Sequence, residues 1–140
     1  MNAEVKRISV RDVMKTQFTM IDRQATIREA LLKIKQFRTS VLVVDRRDEN
    51  DEFGILLVGD IARQVLAQDR SSRRVNVYEV MIKPAVCVHP NMDIRYCSRL
   101  FARFGLVRAL VVENRQVLGT ISPNSLVLDG LYELEEEFEH

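Results

Sequence analysis

The sequence has little of what would mark a dedicated chemistry. Two cysteines, Cys87 and Cys97, stand in 140 residues. They form neither a disulfide framework nor a CxxC pair, which fits a reducing compartment, and both read as small apolar packing residues. His89 lies before Pro90 and His140 is terminal, so neither histidine has a metal-binding partner at ligand spacing. Charge of one sign is lacking too: 21 basic residues meet 20 acidic ones for a net +1. No global field therefore argues for a nucleic-acid partner. No apolar run reaches the roughly 20 residues of a membrane span, so no membrane role is expected. Residues 1–10 are mixed polar and unlike a signal peptide, which makes the cytoplasm the expected location. The chain holds no GxxxxGK[ST] loop, no GxSxG and no HExxH, and only one internal histidine that could act as a base, so no enzyme is expected.

What is present is a globular composition, 46% hydrophobic and 29% charged, in a chain long enough to bury a core. The dominant feature is internal repetition. Val10-Arg11-Asp12-Val13-Met14 matches Val77-Tyr78-Glu79-Val80-Met81 at a shift of 67, which holds through Ile27/Ile94, Arg28/Arg95 and Phe37/Phe104. Leu42-Val43-Val44-Asp45 matches Leu110-Val111-Val112-Glu113 at a shift of 68, and Gly54 matches Gly119 at 65. Small insertions at loops with the apolar positions intact are what duplication of a fold leaves behind.

Each copy predicts the same elements. A lead-in segment ends in Met14 or Met81, followed by a short extended run near Phe18 and Met20 or from Ala85 to Val88. Thr26-Ile27-Arg28-Glu29 has the form of a capping box, and Ile27, Ala30, Leu31, Ile34 and Phe37 fall on one helical face. Asp93 is the corresponding N-cap for the stripe Ile94, Cys97, Phe101 and Phe104. Two apolar strands close each copy: Val41 to Val44 with Ile55 to Val58, and Ala109 to Val112 with Val117 to Ile121. Asn114-Arg115 is a two-residue hairpin turn, whereas Arg46 to Glu52 is a charged surface loop without the glycine and distal glutamate of a calcium loop. Asp69 to Arg74 reads as a solvated linker despite its three arginines. The last helix starts at Pro123 and carries Val127, Leu128, Leu131, Leu134 and Phe138, a ridge that suits a dimer or partner contact.

The organising stretch is Gly54-Ile55-Leu56-Leu57-Val58-Gly59-Asp60-Ile61, a strand, a tight turn and a helix start that bring a carboxylate to the turn. Its repeat is Gly119-Thr120-Ile121-Ser122-Pro123-Asn124-Ser125-Leu126.

With the lead-ins Arg11 to Met14 and Tyr78 to Met81, the strands Ser40 to Asp45 and Arg108 to Glu113, and these two turns, the chain resembles a tandem pair of CBS domains, or Bateman module, of the stand-alone bacterial kind. The resemblance covers about residues 8–132. It implies an α+β fold of two pseudo-symmetric β-α-β-β-α units packed sheet to sheet: a first unit at 8–70, a linker at 71–76, a second unit at 77–132 and an acidic helix end at 133–140. It also implies an adenosyl ligand (AMP, ADP, ATP or S-adenosylmethionine) held in clefts between the units at a Gly-hydrophobic-x-Thr/Ser-x-x-Asp pattern. The aspartate takes ribose hydroxyls as a charge-assisted acceptor, and the hydroxyl and helix-start N–H groups suit phosphate. Here the first copy has Asp60 but Leu57 at the hydroxyl position, and the second has Ser122 but Ser125 at the carboxylate position. The implied site pairs Asp60 and Gly59 on the ribose side with Arg108 on the phosphate side. Thr16, Gln17 and Phe18, with Val41 or Leu42, hold the adenine, and Ser122 and Ser125 line the second half-site.

Two functions follow from this. One is a regulatory ligand sensor whose adenosyl ligand shifts a homodimer or its equilibrium with a regulated protein. The other is a dimerising interaction module whose nucleotide sites have degenerated. As rival local roles, Asp60 would be an acid in a first helical turn and Ser122 an N-cap.

Overall fold

The computed structural model describes residues 6–135. The chain forms two compact units: one from residues 18–85, the other from the described parts of 1–17 and 86–140. In the first, β1 (Met20–Ile21), α2 (Ile27–Phe37), β2 (Val41–Val44) and β3 (Gly54–Leu57) lead into α3 (Val58–Ile61), which continues as a π-helical turn over Ala62–Leu66. The second opens with α1 (Val10–Val13). It then repeats the order as β4 (Cys87–Val88), α4 (Ile94–Phe104), β5 (Ala109–Glu113) and β6 (Gln116–Ile121), followed by α5 (Pro123–Ser125), a π-helical stretch Leu126–Leu131 and α6 (Tyr132–Leu134). Each unit has a three-stranded mixed sheet, ordered β1-β2-β3 or β4-β5-β6, with the first pair parallel and the second antiparallel. The expected α+β fold of two β-α-β-β-α units is borne out.

The compact units cut across the sequence repeats. Val10 and Val13 pack with Val88, Ile94, Cys97, Phe101, Ala109 and Val111, whereas Val77 and Val80 pack with Ile21, Ile27, Leu42 and Leu56. Each lead-in therefore completes the core of the unit built from the other repeat's strands. Both lead-ins are capped alike: the amide of Ser9 donates to Asp12 Oδ2 at 3.0 Å and that of Asn76 to Glu79 Oε2 at 2.9 Å. The segment read as a solvated linker is docked by its backbone, since Arg28 and Ile27 N–H donate to the carbonyls of Ser72 (2.9 Å) and Val75 (2.8 Å). The side chains of Arg73 and Arg74 stay exposed.

Local chemistry accounts for the principal helices. Thr26 Oγ1 accepts from Glu29 N–H and Asp93 Oδ1 from Arg95 N–H, closing the N-termini of α2 and α4. Both helices end in the left-handed region, at Arg38 (φ 50°) and Gly105 (φ 60°). The hairpin turn takes positive φ at both Asn114 and Arg115, the twist-matching geometry of a two-residue loop.

Several expectations need correction. Phe37 and Phe104 are exposed (54% and 61%): each is the last residue of its helix, beyond the buried Ile27 and Ala30 of α2 and Ile94, Cys97 and Phe101 of α4. Leu31 is exposed as well. Val58 belongs to α3, not the strand: Leu57 is the last extended residue, and Val58 N–H donates to Ser40 O. Cys87 is exposed because β4 alternates and turns Val88 inward, whereas Cys97 is buried as expected. In the last helical stretch Leu126 and Gly130 face the core and Val127, Leu128 and Leu131 are exposed. Phe138 and residues 136–140 of the acidic end lie outside the described residues.

Candidate functional site

Asp60 is the only charged residue among the described residues classed as buried, at 8% exposure. β3 pairs with β2 in the register Val41↔Leu57 and Leu42↔Leu56, and the chain then bends at Leu57 so that Asp60 arrives in the first turn of α3. Its Oδ1 accepts a hydrogen bond from the Arg63 guanidinium, three residues on. Its Oδ2 is buried and finds no hydrogen-bond partner among the described residues. A buried oxygen left in this way costs on the order of 1–3 kcal/mol, and more when it carries charge, so it calls for a donor.

The other predicted residues divide between the units. Gly59 lies exposed beside Asp60, under the Arg63 guanidinium. Leu57 is half-buried at the hydroxyl position, Leu42 is wholly within the core, and Val41 is buried in β2. Phe18 is half-buried just before β1. In the second unit Lys15 and Thr120 exchange both main-chain hydrogen bonds at 2.9 Å, which lays the exposed Thr16 and Gln17 beside the end of β6. Ser122 Oγ accepts from Ser125 N–H at 3.4 Å and lies 3.4 Å from Ser125 Oγ, so Ser122 caps the helix as the plainer reading anticipated. Arg108, half-buried, immediately precedes β5, whose Ala109 pairs with Ile121 next to Ser122. Burial lowers the pKa of its guanidinium. Arg108, Ser122, Ser125, Thr16 and Gln17 thus belong to one unit, and Asp60, Gly59, Val41, Leu42 and Phe18 to the other.

Two features went unrecognised in the sequence: a segment paired with β3 and the Arg63 partner of Asp60. The segment alongside β3 is Met81–Lys83, through paired Ile55 and Ile82 hydrogen bonds at 2.9 Å. It is the repeat of the Lys15 bridge, and the Met14/Met81 match held the clue. Arg63 was also readable, since an acid and a base three apart on a helix share a face.

Elsewhere, the charged loop of 46–52 is fastened by Asp51, which accepts from Lys83 Nζ at 2.7 Å, Arg47 N–H at 2.8 Å and Arg47 Nε at 3.2 Å. These donors, Lys83 first, hold Asp51 well below the usual carboxylate range. His89 faces Glu113 at 3.5 Å, and Arg11 reaches the same carboxylate at 3.3 Å. No group of three His, Cys, Asp or Glu side chains among the described residues is arranged to hold a metal. No helix among them is long and apolar enough to cross a membrane.

Comparison with known proteins agrees with the duplicated architecture. The family model of the CBS domain matches residues 10–67 and again 77–128. The CBS domain-containing protein YhcV of Bacillus subtilis (strain 168) is 30% identical over 123 residues, covering 88% of this chain and 86% of YhcV. Among solved structures, the hexameric CBS-CP12 protein from bloom-forming cyanobacteria superposes with a TM-score of 0.88 at 30% identity, covering 91% of this chain and 70% of that one. A putative signal-transduction protein with CBS domains from Burkholderia ambifaria MC40-6 gives a TM-score of 0.77 at 22% identity over 91% of this chain and 96% of its own, a likeness of fold.

Proposed function

Because the chain belongs to the CBS-domain family, a family of regulatory modules, we propose that it is a ligand-sensing module whose Asp60 turn takes the ribose of an adenine nucleotide or related adenosyl ligand. The observation that carries this reading is Asp60 Oδ2, buried and unmatched at the strand-to-helix turn. A ribose hydroxyl supplies the missing donor, and a bond to a charged acceptor is worth about 1.5–3 kcal/mol. In the other unit Arg108 has the charge, and Ser122 and Ser125 have the hydroxyls, suited to phosphate. Binding acts as a signal to the extent that the ligand prefers one conformational or assembly state over another.

Titration calorimetry with AMP, ATP and S-adenosylmethionine tests the proposal. Binding of at least one, weakened about 10-fold or more by Asp60→Asn, is the expected result. Flat traces with all three, in the parent and in Asp60→Ala alike, overturn it.

A second reading is a self-associating homodimeric module with degenerate nucleotide sites. It is favoured by Leu57 and Ser125 at the two pattern positions, by the exposed Val127, Leu128, Leu131 and Tyr132, and by the hexameric assembly of the cyanobacterial relative. Sedimentation of Leu128→Glu separates the two: loss of association with no ligand response in the parent supports this second reading.

A further inference from the structure

We propose that Arg63 is a ligand-selecting residue that makes the Asp60 turn favour anionic adenosine phosphates over neutral or cationic adenosyl compounds. This rests on the reading that Asp60 receives a ribose. Three observations converge on it. Arg63 donates to Asp60 Oδ1, so the carboxylate is already matched by one positive charge, and a cationic group arriving at this turn meets no net attraction. The guanidinium is nonetheless wet: the Arg63 side chain is 71% exposed, against 11% for that of Asp60. It therefore faces the solvent from which a ligand comes. And only one of its five N–H donors is used, since its guanidinium makes no other hydrogen bond among the described residues.

The geometry leaves the ribose function intact. Oδ2, though buried, has no partner among the described residues, and Oδ1 retains a second lone pair beside the arginine, so the carboxylate keeps acceptor capacity for a diol. The unused guanidinium donors then lie within several ångströms of whatever the ribose carries. At roughly 6–8 Å in a largely hydrated setting, one unit charge changes the affinity for a second by about 3- to 10-fold. The sign is opposite for a phosphate and for the sulfonium of S-adenosylmethionine. The other unit has no such pair, because the repeat places Ser125 at the position of Asp60 and Leu128 at that of Arg63.

The test is calorimetry on the full chain at low salt with adenosine, AMP, ATP, S-adenosylmethionine and S-adenosylhomocysteine, comparing the parent with Arg63→Gln and Arg63→Lys. Circular dichroism serves as the folding check. Arg63→Gln is expected to weaken ATP about 10-fold and AMP about 3-fold while leaving adenosine within about twofold. It should also raise the affinity for S-adenosylmethionine relative to S-adenosylhomocysteine, which lacks the positive sulfur. Arg63→Lys should keep most of the preference, and 0.5 M salt should compress it. If Arg63→Gln weakens adenosine and ATP equally, Arg63 only positions Asp60, and the proposal is overturned. It is overturned likewise if every affinity is unchanged while Asp60→Asn still abolishes binding, an outcome that leaves the ribose site standing. No binding of any of the five by the parent removes the ribose reading and this proposal together.

Discussion

The two units use one architecture to hold two different turns. Each has a three-stranded sheet, a helix of eleven residues capped by a side-chain oxygen, and a lead-in segment drawn from the other repeat. At the strand-to-helix turn they part. The 18–85 unit presents a buried carboxylate at Asp60 with Leu57 at the hydroxyl position, whereas the other presents Ser125 and Ser122; just before the neighbouring strand, Ser40 in the first unit stands where the second has Arg108. One turn has a buried carboxylate with one oxygen unmatched, the other a pair of buried hydroxyls, with a half-buried arginine just before the neighbouring strand. The apolar positions that close each core are kept and the polar ones redistributed, so the halves share stability requirements while offering different chemistry. The loops diverge as well: seven residues, 46–52, fastened through Asp51 in one, a two-residue turn at Asn114-Arg115 in the other.

The largest effect that would sharpen this comparison concerns the helix faces. Phe101 of α4 is buried, while its repeat counterpart Ile34 of α2 is only partly so. Phe101→Ala is expected to cost about 3–5 kcal/mol and Ile34→Ala about 1–2, because part of the isoleucine surface is already in water. Urea midpoints of the two variants give the difference. Equal costs would mean that the helices contribute equally to their cores, contrary to their burial.

The matched glycines come next. A Cβ on Gly119 would lie 2.3 Å from the carbonyl oxygen of Lys15, a backbone atom held by the Thr120 bridge. One on Gly54 would meet Met81 Sδ and Val44 Cβ at 3.2 Å and Ile82 O at 3.3 Å, contacts that yield with small shifts. Gly119→Ala is therefore expected to cost about 2–3 kcal/mol and Gly54→Ala about 1. Hydrogen exchange should show the Lys15 and Thr120 amides losing protection in the first variant. Preserved protection there would show that the strand end accommodates a methyl group.

Much of this was legible in the sequence because it is local. The hairpin needed only Asn114-Arg115 between two apolar runs, the helix starts needed Thr26 and Asp93, and the fold class followed from reading the pattern twice. What stayed hidden depends on tertiary partners. Periodicity placed Phe37 and Phe104 on the apolar stripe, but each is the last residue of its helix and exposed, and how far the core extends along a helix is a matter of tertiary packing that periodicity does not carry. In the last helix the buried positions are Leu126 and Gly130; Gly130 is the one spot where Ile94 Cδ1 would come within 2.6 Å of a Cβ, and close approach to a glycine leaves no hydrophobic signal. Exchange of the lead-ins joins residues distant in sequence, so Val10 and Val77 could be read as core but not as whose core. At the candidate site the turn and its carboxylate were visible, whereas the unmatched Oδ2 is a fact of burial that only coordinates supply.

The smallest expected effects distinguish the units by pH. Asp51 is held below the usual carboxylate range by Lys83 and Arg47, so the folded state binds its proton less readily than the unfolded chain does. The stability this adds is complete above the ordinary carboxylate pKa, about 4, and drains away as the pH falls below it. The other unit has no counterpart to the loop, and there the titrating group is Cys97, whose thiol is pushed up to about 11 by burial. A raised thiol pKa has the opposite pH dependence: its contribution is complete below the unfolded value near 8.5 and is lost as the pH climbs toward 11. Ala30 takes the place of Cys97 in the 18–85 unit, so that unit lacks this alkaline term. Thermal melts from pH 3 to 10.5 should therefore show Asp51→Asn less stable than the parent at neutral pH, with the gap narrowing below about pH 4. Cys97→Ala should keep a constant offset up to about pH 8 and then gain on the parent above it. A gap for Asp51→Asn that persists unchanged at pH 3 would mean that the loop is held by geometry rather than charge. An offset for Cys97→Ala that stays flat to pH 10.5 would mean that the thiol ionises as easily folded as unfolded.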